Sequence, residues 1–342
     1  MKPTNFFGVA FITLSFISVI LYRQYNYYAP NYGNSFLRSI ATSKIVGRKS
    51  YNFCYKDKCK TGKPFNLTQE FVRVMDQLRR TTVDDDVTQM VFVTAASANH
   101  FTESLDSIGS IQKHFPGSLI LYYDWGLRPA QRRQIQAWCD VTLMLLDLRE
   151  FANADRSQFY VWKVLVITHA LLDHPCVFWI DASIRIMSSH VTGILEVTRG
   201  NGGFAMFGAV GKVHSTFAVT HHKMYEYLAT DTRMQTLEGH FQSGAVFLLR
   251  SDFVVNEILQ WWLLCAMHSE CMTPITWSRC DFTKGRMTSY ANCHRFDQSA
   301  INILASNAFG FIPLMYWAIG GGPIVKVQRG HTKQFNVSIC SR

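Results

Sequence analysis

From residue 88 onward, short apolar segments alternate with amphipathic ones, and this alternation constrains the fold more than any other feature. Residues 90–94 and 176–180 are apolar and predict strands, whereas residues 101–114 have the periodicity of a helix. Strands that alternate with helices form a mostly parallel sheet covered on both faces. Ligands bind such sheets beyond the carboxyl ends of the strands. We therefore predict an α/β domain over residues 88–342, with its functional side chains along one edge.

The N-terminal region predicts a membrane anchor. Residues 6–22 form an uncharged run of 17, which is at the lower limit for spanning a bilayer. A cleaved signal peptide is the alternative, but no small-x-small cleavage site follows the run. We predict a cytoplasmic tail at residues 1–5 and a transmembrane signal anchor at residues 6–22. Residues 23–87 lack sustained periodicity and are predicted to form a stem.

The formal charge of +10 does not indicate nucleic-acid binding. Residues 1–87 carry 13 Lys or Arg against 6 Asp or Glu, whereas residues 88–342 carry 21 against 18. The excess therefore lies in the N-terminal region, and the predicted domain lacks the basic face that nucleic-acid binding needs.

The cysteines and two sequons indicate a secretory location. Asn66 and Asn336 begin Asn-x-Ser/Thr sequons and are predicted glycosylation sites. A small loop is expected at Cys54 and Cys59. Two disulfides are expected within a crowded group made of Cys265, Cys271, Cys280 and Cys293. A zinc site is the alternative for this group, although no Cys-x-x-Cys spacing occurs in it. We predict a single-pass type II protein of the Golgi or endoplasmic reticulum membrane, with residues 88–342 in the lumen.

Two segments in the middle of the chain resemble a known family. Phe-Tyr-Val-Trp-Lys at residues 159–163 is followed by Val-Phe-Trp-Ile-Asp-Ala-Ser at residues 177–183. They resemble the GT-A glycosyltransferases, particularly glycogenin and the bacterial lipopolysaccharide galactosyltransferases. In those proteins a helix with a basic residue precedes an apolar strand that ends in Asp-x-Asp. The resemblance implies the GT-A (nucleotide-diphospho-sugar transferase) fold, with Lys163 and Asp181 at the diphosphate of the donor.

The same resemblance implies Mn²⁺ or Mg²⁺ on Asp181, because hard divalent ions prefer oxygen ligands and can neutralise a leaving diphosphate. Ser183, however, stands where the family has its second Asp. The Ser183 hydroxyl is then a weaker ligand, and Lys163, Arg185 or Lys326 are alternative sources of positive charge.

Three later motifs extend the resemblance. Residues 241–248 resemble an Asn-Ala-Gly segment followed by a strand, which implies that Ser243 and Gly244 contact the donor. Residues 297–302 resemble Asp-Gln-Asp-x-Leu-Asn, which implies that Asp297 and Gln298 lie near the anomeric carbon, with Ser299 in place of the third Asp. Gly-His-Thr-Lys at residues 330–333 resembles a C-terminal segment in which His331 would bind the metal and Lys333 the diphosphate.

Other polar and aromatic residues are candidates by position. Ser97 and Asp124 follow the first two predicted strands and are expected to bind the nucleotide, unless they only form turns. The aromatic pairs at residues 261–262 and 316–317 could stack on acceptor sugars, although a core position is the alternative for Trp261 and Trp262.

The sequence as a whole predicts a glycosyltransferase with a nucleotide-sugar donor and a glycan, protein or lipid acceptor. The alternative is a non-catalytic protein of the same fold that binds glycans or scaffolds other transferases. The replacement of family aspartates by Ser183 and Ser299 favours that alternative.

Overall fold

The computed structural model describes residue 40 and residues 43–83, 90–145, 161–190, 200–208, 214–318 and 324–340. The predicted cytoplasmic tail and signal anchor lie outside these residues. Among the described residues, none of the helices combines the length and the apolar character needed to cross a membrane.

Residues that were predicted to form a stem are folded against the domain instead. Strands β1 (Ile45–Tyr55) and β2 (Lys58–Thr68) form an antiparallel hairpin, and helix α1 (Gln69–Arg80) follows directly. Tyr51, Phe53 and Phe65 are buried in the main core together with residues of α1. The stem prediction is therefore wrong for residues 43–83, because the hairpin buries one aromatic face.

A six-stranded sheet forms the centre of the domain. Its strands are β3 (Met90–Ala96), β4 (Ile120–Asp124), β5 (Val141–Met144), β6 (Cys176–Ile180), β8 (Phe204–Phe207) and β9 (Ala245–Leu249). They are arranged in the order β5-β4-β3-β6-β9-β8. The first four run parallel, and β9 runs antiparallel to both of its neighbours. The predicted mostly parallel sheet is confirmed.

Both faces of the sheet are covered, as the alternation of side chains along its strands shows. In β6, Val177 and Trp179 face one core, whereas Phe178 and Ile180 face the other. Around the sheet lie α2 (Phe101–His114), α3 (Pro129–Gln136), α4 (Val161–Asp173), α5 (His222–Tyr227), α6 (Thr232–Gln235), α7 (Gln260–Met267), α8 (Ser269–Met272) and α9 (Phe296–Ala308). Residues 254–259 form a wider π-type turn that leads into α7.

The C-terminal segment is attached to the sheet's neighbouring elements. Strand β10 (Val325–Val327) pairs antiparallel with β7 (Ile184–Ile186), which follows β6. A disulfide between Cys139 and Cys340 joins the end of this segment to the residues that precede β5.

The remaining disulfides agree with the expectation from the sequence. Cys54 is bonded to Cys59 within the β1–β2 hairpin. In the crowded group the bonds are Cys265–Cys271 and Cys280–Cys293, so two disulfides form there and the zinc alternative is wrong. The ninth cysteine, Cys176, is buried in β6.

Candidate functional site

Asp181 lies at the carboxyl edge of the sheet, directly after β6. Its backbone N–H donates to the carbonyl of Gly244, the residue before β9, at 2.7 Å. A Cβ atom at position 244 would lie 3.2 Å from Asp181 Oδ2 and 3.2 Å from the Ile184 side chain. Glycine at this position therefore leaves room for the Asp181 carboxylate, whose side chain is 27% exposed. Asp181 therefore presents a partly exposed carboxylate at this edge of the sheet.

Lys163, in the first turn of α4, links Asp181 to a second carboxylate. Its ammonium nitrogen lies 3.2 Å from Asp181 Oδ1 and 3.1 Å from Asp297 Oδ2. It also donates to the carbonyl of Ser243 at 3.2 Å and lies 3.4 Å from the Ser243 hydroxyl. The structure thus brings together four residues that the sequence had singled out. We call them the edge cluster: Lys163, Asp181, Ser243 and Asp297.

The electrostatics of the edge cluster keep Lys163 charged. Burial opposes the charge, but the Asp181 and Asp297 carboxylates outweigh it and raise the pKa of Lys163 above its ordinary value. For Asp297, burial raises the pKa, while Lys163 holds it down. The three N–H donors of Lys163 are matched by acceptors inside the cluster. Lys163 therefore stabilises the two carboxylates. Its three N–H donors are used within the cluster, so none is available for the expected contact with a diphosphate.

Asp297 is fixed in place at the start of α9. Its carboxylate accepts a hydrogen bond from the Ser243 hydroxyl at 2.9 Å, and its carbonyl accepts one from Trp262 Nε1 at 3.2 Å. The Asp297 side chain is 4% exposed, so it lies beneath Asp181 and away from solvent. The structure makes Asp297 a supporting residue of the site.

Gln298 is held by the backbone that precedes β9. Its amide nitrogen donates to the carbonyl of Phe241 at 2.9 Å, and Asn302 Nδ2 donates to the same carbonyl at 2.8 Å. Asn302 Oδ1 also accepts from the Phe241 N–H at 2.8 Å. The Gln298 side chain is half-buried, and its carbonyl oxygen is the group that can still meet a substrate. Ser299 is fully buried and bonds to Thr220 in the core.

Ser97 and Asp124 differ in what they can do. The buried Asp124 carboxylate accepts the backbone N–H groups of Gly126 and Leu127 at 2.8 and 2.7 Å and forms an ion pair with Arg132. These contacts make Asp124 a turn-forming residue. They agree with the alternative given above to its expected role in nucleotide binding. Ser97 is half-buried after β3, where its hydroxyl donates to the Asn99 side chain at 2.5 Å.

Arg185 and His331, two of the expected charges, are engaged away from the edge cluster. Arg185 is fully buried, lies 3.7 Å from the equally buried Asp106, and donates to the Gly330 carbonyl at 2.8 Å. His331 Nε2 lies 3.9 Å from Asp106 as well, and Lys333 is exposed with a φ of 57°. These contacts join Arg185 and His331 to Asp106 of α2 and not to Asp181. Arg185 cannot supply charge to a ligand at the sheet edge.

The aromatic candidates divide between core and surface. Trp261, Trp262 and Tyr316 are buried. The two tryptophans therefore occupy the core, as the alternative prediction for them stated. Trp317 is half-buried and stacks on Phe241, with 5.3 Å between the ring centroids. The pair formed by Trp317 and Phe241 therefore remains the candidate for contact with an acceptor.

The edge cluster does not fit a divalent metal ion. Among the described residues, no group of three or more His, Cys, Asp and Glu side chains is arranged to hold one. Asp181 Oδ1 already faces Lys163 and Trp179, and Asp297 faces Lys163 and Ser243. Hard cations need several oxygen ligands, and these contacts engage one oxygen of each carboxylate with Lys163. The expectation of Mn²⁺ or Mg²⁺ on Asp181 and His331 stays a prediction without a matching ligand set.

Trp179 also belongs to the site, although the motifs in the sequence did not single it out. Its indole Nε1 donates to Asp181 Oδ1 at 2.7 Å, and the Lys163 ammonium lies 5.6 Å from the centroid of its ring. The signal was present, because residues two apart in a strand point to the same side. Trp179 therefore orients the carboxylate from within β6.

Comparison with known proteins places the chain near a family without an assigned function. Residues 41–168, less than half of the chain, match a family described as "Protein of unknown function (DUF1647)". No curated protein sequence matches the chain.

Solved structures with a remote likeness to the chain include glycosyltransferases. The galactosyltransferase LgtC, in complex with donor and acceptor sugar analogs, is 15% identical over 63% of this chain and 70% of its own, with a TM-score of 0.36. Mouse xyloside xylosyltransferase 1 is 10% identical over 67% of this chain and 83% of its own, with a TM-score of 0.35. GlyE of Streptococcus pneumoniae is 12% identical over 72% of this chain, which spans 58% of GlyE, with a TM-score of 0.35. Similarity this remote does not assign a function.

Proposed function

We propose that this chain is a glycosyltransferase, which transfers a sugar from a nucleotide-diphosphate donor to a hydroxyl group of a glycan, protein or lipid. The observation that carries the proposal is the edge cluster, in which a partly exposed Asp181 carboxylate is held over the buried Lys163–Asp297 pair. The cluster lies where ligands of such sheets bind. The order of the motifs along the chain, which resembles that of GT-A glycosyltransferases, supports the same reading.

A carboxylate in this position suits the chemistry of sugar transfer. In the reaction, the bond from the anomeric carbon to the diphosphate oxygen breaks, and its electron pair leaves on the diphosphate. The acceptor oxygen bonds to the anomeric carbon, and its proton passes to the departing phosphate oxygen. Positive charge develops on the sugar ring in such transition states, as in glycoside hydrolysis. The negative charge of Asp181 stabilises that charge or accepts hydrogen bonds from sugar hydroxyls.

The remaining residues of the site hold this carboxylate in place. Trp179 and Lys163 fix Asp181 Oδ1, so the orientation of the group is set before substrate arrives. Gly244 leaves space beside Oδ2 for a sugar. We assign the Gln298 carbonyl oxygen to a sugar hydroxyl, because its amide nitrogen is bound to Phe241. Ser97 and Ser183 are half-buried at the same edge and are the further polar groups proposed to contact the donor.

We also propose that the chain acts in the lumen of the secretory pathway, anchored by residues 6–22 in the Golgi or endoplasmic reticulum membrane. Four disulfides support an oxidising compartment. The side chains of Asn66 and Asn336, which begin the two sequons, are exposed. Exposed asparagines are compatible with glycans on the folded protein.

A non-catalytic, glycan-binding protein is the second candidate. It is favoured by the complete use of the Lys163 donors within the cluster, which leaves this cation unable to contact a phosphate. Such a protein would bind a sugar or a nucleotide sugar without turnover.

Calorimetric titration of the purified full chain tests the proposal. The ligands are UDP-, GDP- and CMP-sugars, each added with and without Mn²⁺ because the resemblance implies a metal. A glycosyltransferase binds at least one of them and slowly releases free nucleotide from it in the absence of acceptor. Binding without any release favours the second candidate, and binding of none contradicts both the donor and the activity.

A further inference from the structure

Three tryptophans from separate elements form a continuous line through the domain. Trp125 follows β4, Trp162 lies in the first turn of α4, and Trp179 lies in β6. The rings of Trp125 and Trp162 are stacked, with centroids 5.1 Å apart and planes 24° apart. The rings of Trp162 and Trp179 meet edge to face, with centroids 5.8 Å apart.

The inner end of this line, Trp179, contacts the edge cluster. Trp179 donates its indole N–H to Asp181, as described above, and Trp179 is fully buried. Trp162 is 9% exposed. The outer ring, Trp125, is half-buried and is the member of the line that retains the most accessible surface.

The Trp125 ring is held rigidly for a residue at the surface. Its backbone N–H donates to the Ala96 carbonyl at the end of β3, at 3.2 Å. The turn that follows is pinned by the buried Asp124, and Gly126 adopts a φ of 93° that favours glycine. Stacking on Trp162 supports one face of the ring. The Asp124 carboxylate at the sheet edge therefore stabilises the turn that positions Trp125.

We propose that the Trp125 ring, on the side away from Trp162, stacks on the nucleobase of the donor. The inference rests on the proposed function, because it identifies part of the donor site. The ends of β4 and β6 flank β3, so Trp125 lies about two strand spacings, or ~10 Å, along the same edge from Asp181. In a nucleotide-diphosphate sugar, a ribose and two phosphates separate the base from the sugar. A sugar at Asp181 therefore places the base further along the edge.

The chemistry of the occupant favours a base over a second sugar. Every nucleobase presents a flat π-face, and stacking on an aromatic ring needs no particular hydrogen-bond pattern. The indole of Trp125 offers such a face, backed by Trp162 on its other side. Trp125 would supply affinity for a nucleotide without choosing among the bases.

Calorimetry with UDP, GDP and CDP tests this proposal on the full chain. The Trp125→Leu variant should raise the Kd of whichever nucleotide binds wild type by about 5- to 150-fold, the range expected for the loss of one base–aromatic stack. Trp125→Phe should keep most of the affinity, and Trp277→Phe, which alters a 60% exposed tryptophan, is the matched control and should change nothing. Inorganic pyrophosphate, which has no base, should bind Trp125→Leu as it binds wild type.

The outcomes separate this proposal from the proposed function. If nucleotides bind wild type and Trp125→Leu equally well, the base lies elsewhere and this inference is wrong, while the proposed function survives. A variant that changes only the KM of an acceptor would also overturn it, since Trp125 would then face the acceptor. If no nucleotide binds wild type, the proposed function fails and this inference fails with it. Thermal melting of Trp125→Phe verifies that the turn after β4 still folds.

Discussion

Lys163 Nζ lies 3.1 Å from Asp297 Oδ2, and the two side chains are 2% and 4% exposed. The same ammonium group lies 3.2 Å from Asp181, which faces the surface. One buried cation therefore supports a buried carboxylate and orients an exposed one. This relationship connects the stability of the domain with the geometry of its candidate site.

The Lys163→Met variant should be strongly destabilised, because it leaves buried negative charge without a partner. Removing one member of a buried ion pair typically costs about 3–5 kcal/mol of unfolding free energy. Urea denaturation followed by circular dichroism measures the change. Lys58→Met, at an exposed position of β2, is the control and should stay within about 0.5 kcal/mol of wild type. A loss below 1 kcal/mol in Lys163→Met would mean that the ammonium does not hold the cluster together.

Asp106 should make the attachment of the C-terminal segment sensitive to acid. Burial alone would raise its pKa, but hydrogen bonds from Thr332 and the Phe335 N–H, together with Arg185, lower the pKa of Asp106 below 3.8. A carboxyl group whose pKa is lowered by folding contributes stability above its ordinary pKa, and this contribution is lost as the pH falls through the folded value. Asp106→Asn should therefore be less stable than wild type at pH 7.

The measurement for Asp106 is unfolding free energy against pH. The difference between wild type and Asp106→Asn should begin to shrink as the pH falls below about 4, where the carboxyl of the unfolded chain binds a proton, and should be lost as the pH falls through the lower pKa of the folded protein. A difference that stays constant from pH 7 to pH 3 would contradict the assigned ionisation. Asp76→Asn removes an exposed carboxylate paired with Arg79 and should show little effect at either pH.

The disulfides should differ in their effect on stability according to the loops they close. Cys139–Cys340 spans 201 residues of sequence, whereas Cys54–Cys59 spans 5. Loop-closure entropy predicts that removal of the long-range bond costs about 3 kcal/mol more than removal of the short one. Denaturation of the paired variants Cys139→Ala/Cys340→Ala and Cys54→Ala/Cys59→Ala measures this difference. Equal losses would show that native contacts, such as the Gln112 bonds to Cys139 and Ser338, already hold the segment in place.

Glycosylation of the two sequons tests the proposed lumenal location. Both asparagines are exposed, so Asn66→Gln and Asn336→Gln should each reduce the apparent mass by one glycan in protein made by secretory cells. Substitution of the sequon residue Thr68 is a poorer test, because its hydroxyl caps α1 through the Phe71 N–H at 3.2 Å. If glycosidase treatment does not reduce the apparent mass of wild type, the result would argue against the lumenal location.

The sequence predicted the central sheet well and its N-terminal extension poorly. Helix 101–114 and strand 176–180 have the predicted bounds, because the first is a long element and the second is strongly apolar. The β1–β2 hairpin was missed because its buried apolar side chains are few, Tyr51 and Phe53 in β1 and Phe65 in β2, and polar or charged residues fill most of the other positions.

The candidate site could be predicted only in part, because local sequence does not show which contacts a side chain makes in the folded protein. Lys163 and Asp181 stand at element ends, where position alone indicates the sheet edge. By contrast, a turn-forming Asp124 and a ligand-binding one look the same in sequence. The Arg185–Asp106 pair joins residues far apart in the chain, and nothing local indicates that it is buried.

The central claim is that Asp181 acts in sugar transfer, and turnover of a bound nucleotide sugar by Asp181→Asn tests it most directly. The amide keeps the size of the side chain but removes its charge. With the donor that binds wild type, Asp181→Asn should lower kcat by about 10²-fold or more, as expected for one lost electrostatic contact with developing charge. Its melting temperature should remain close to that of wild type, and the control Asp76→Asn should turn over normally. An Asp181→Asn variant that is folded and has wild-type kcat and KM would contradict the account.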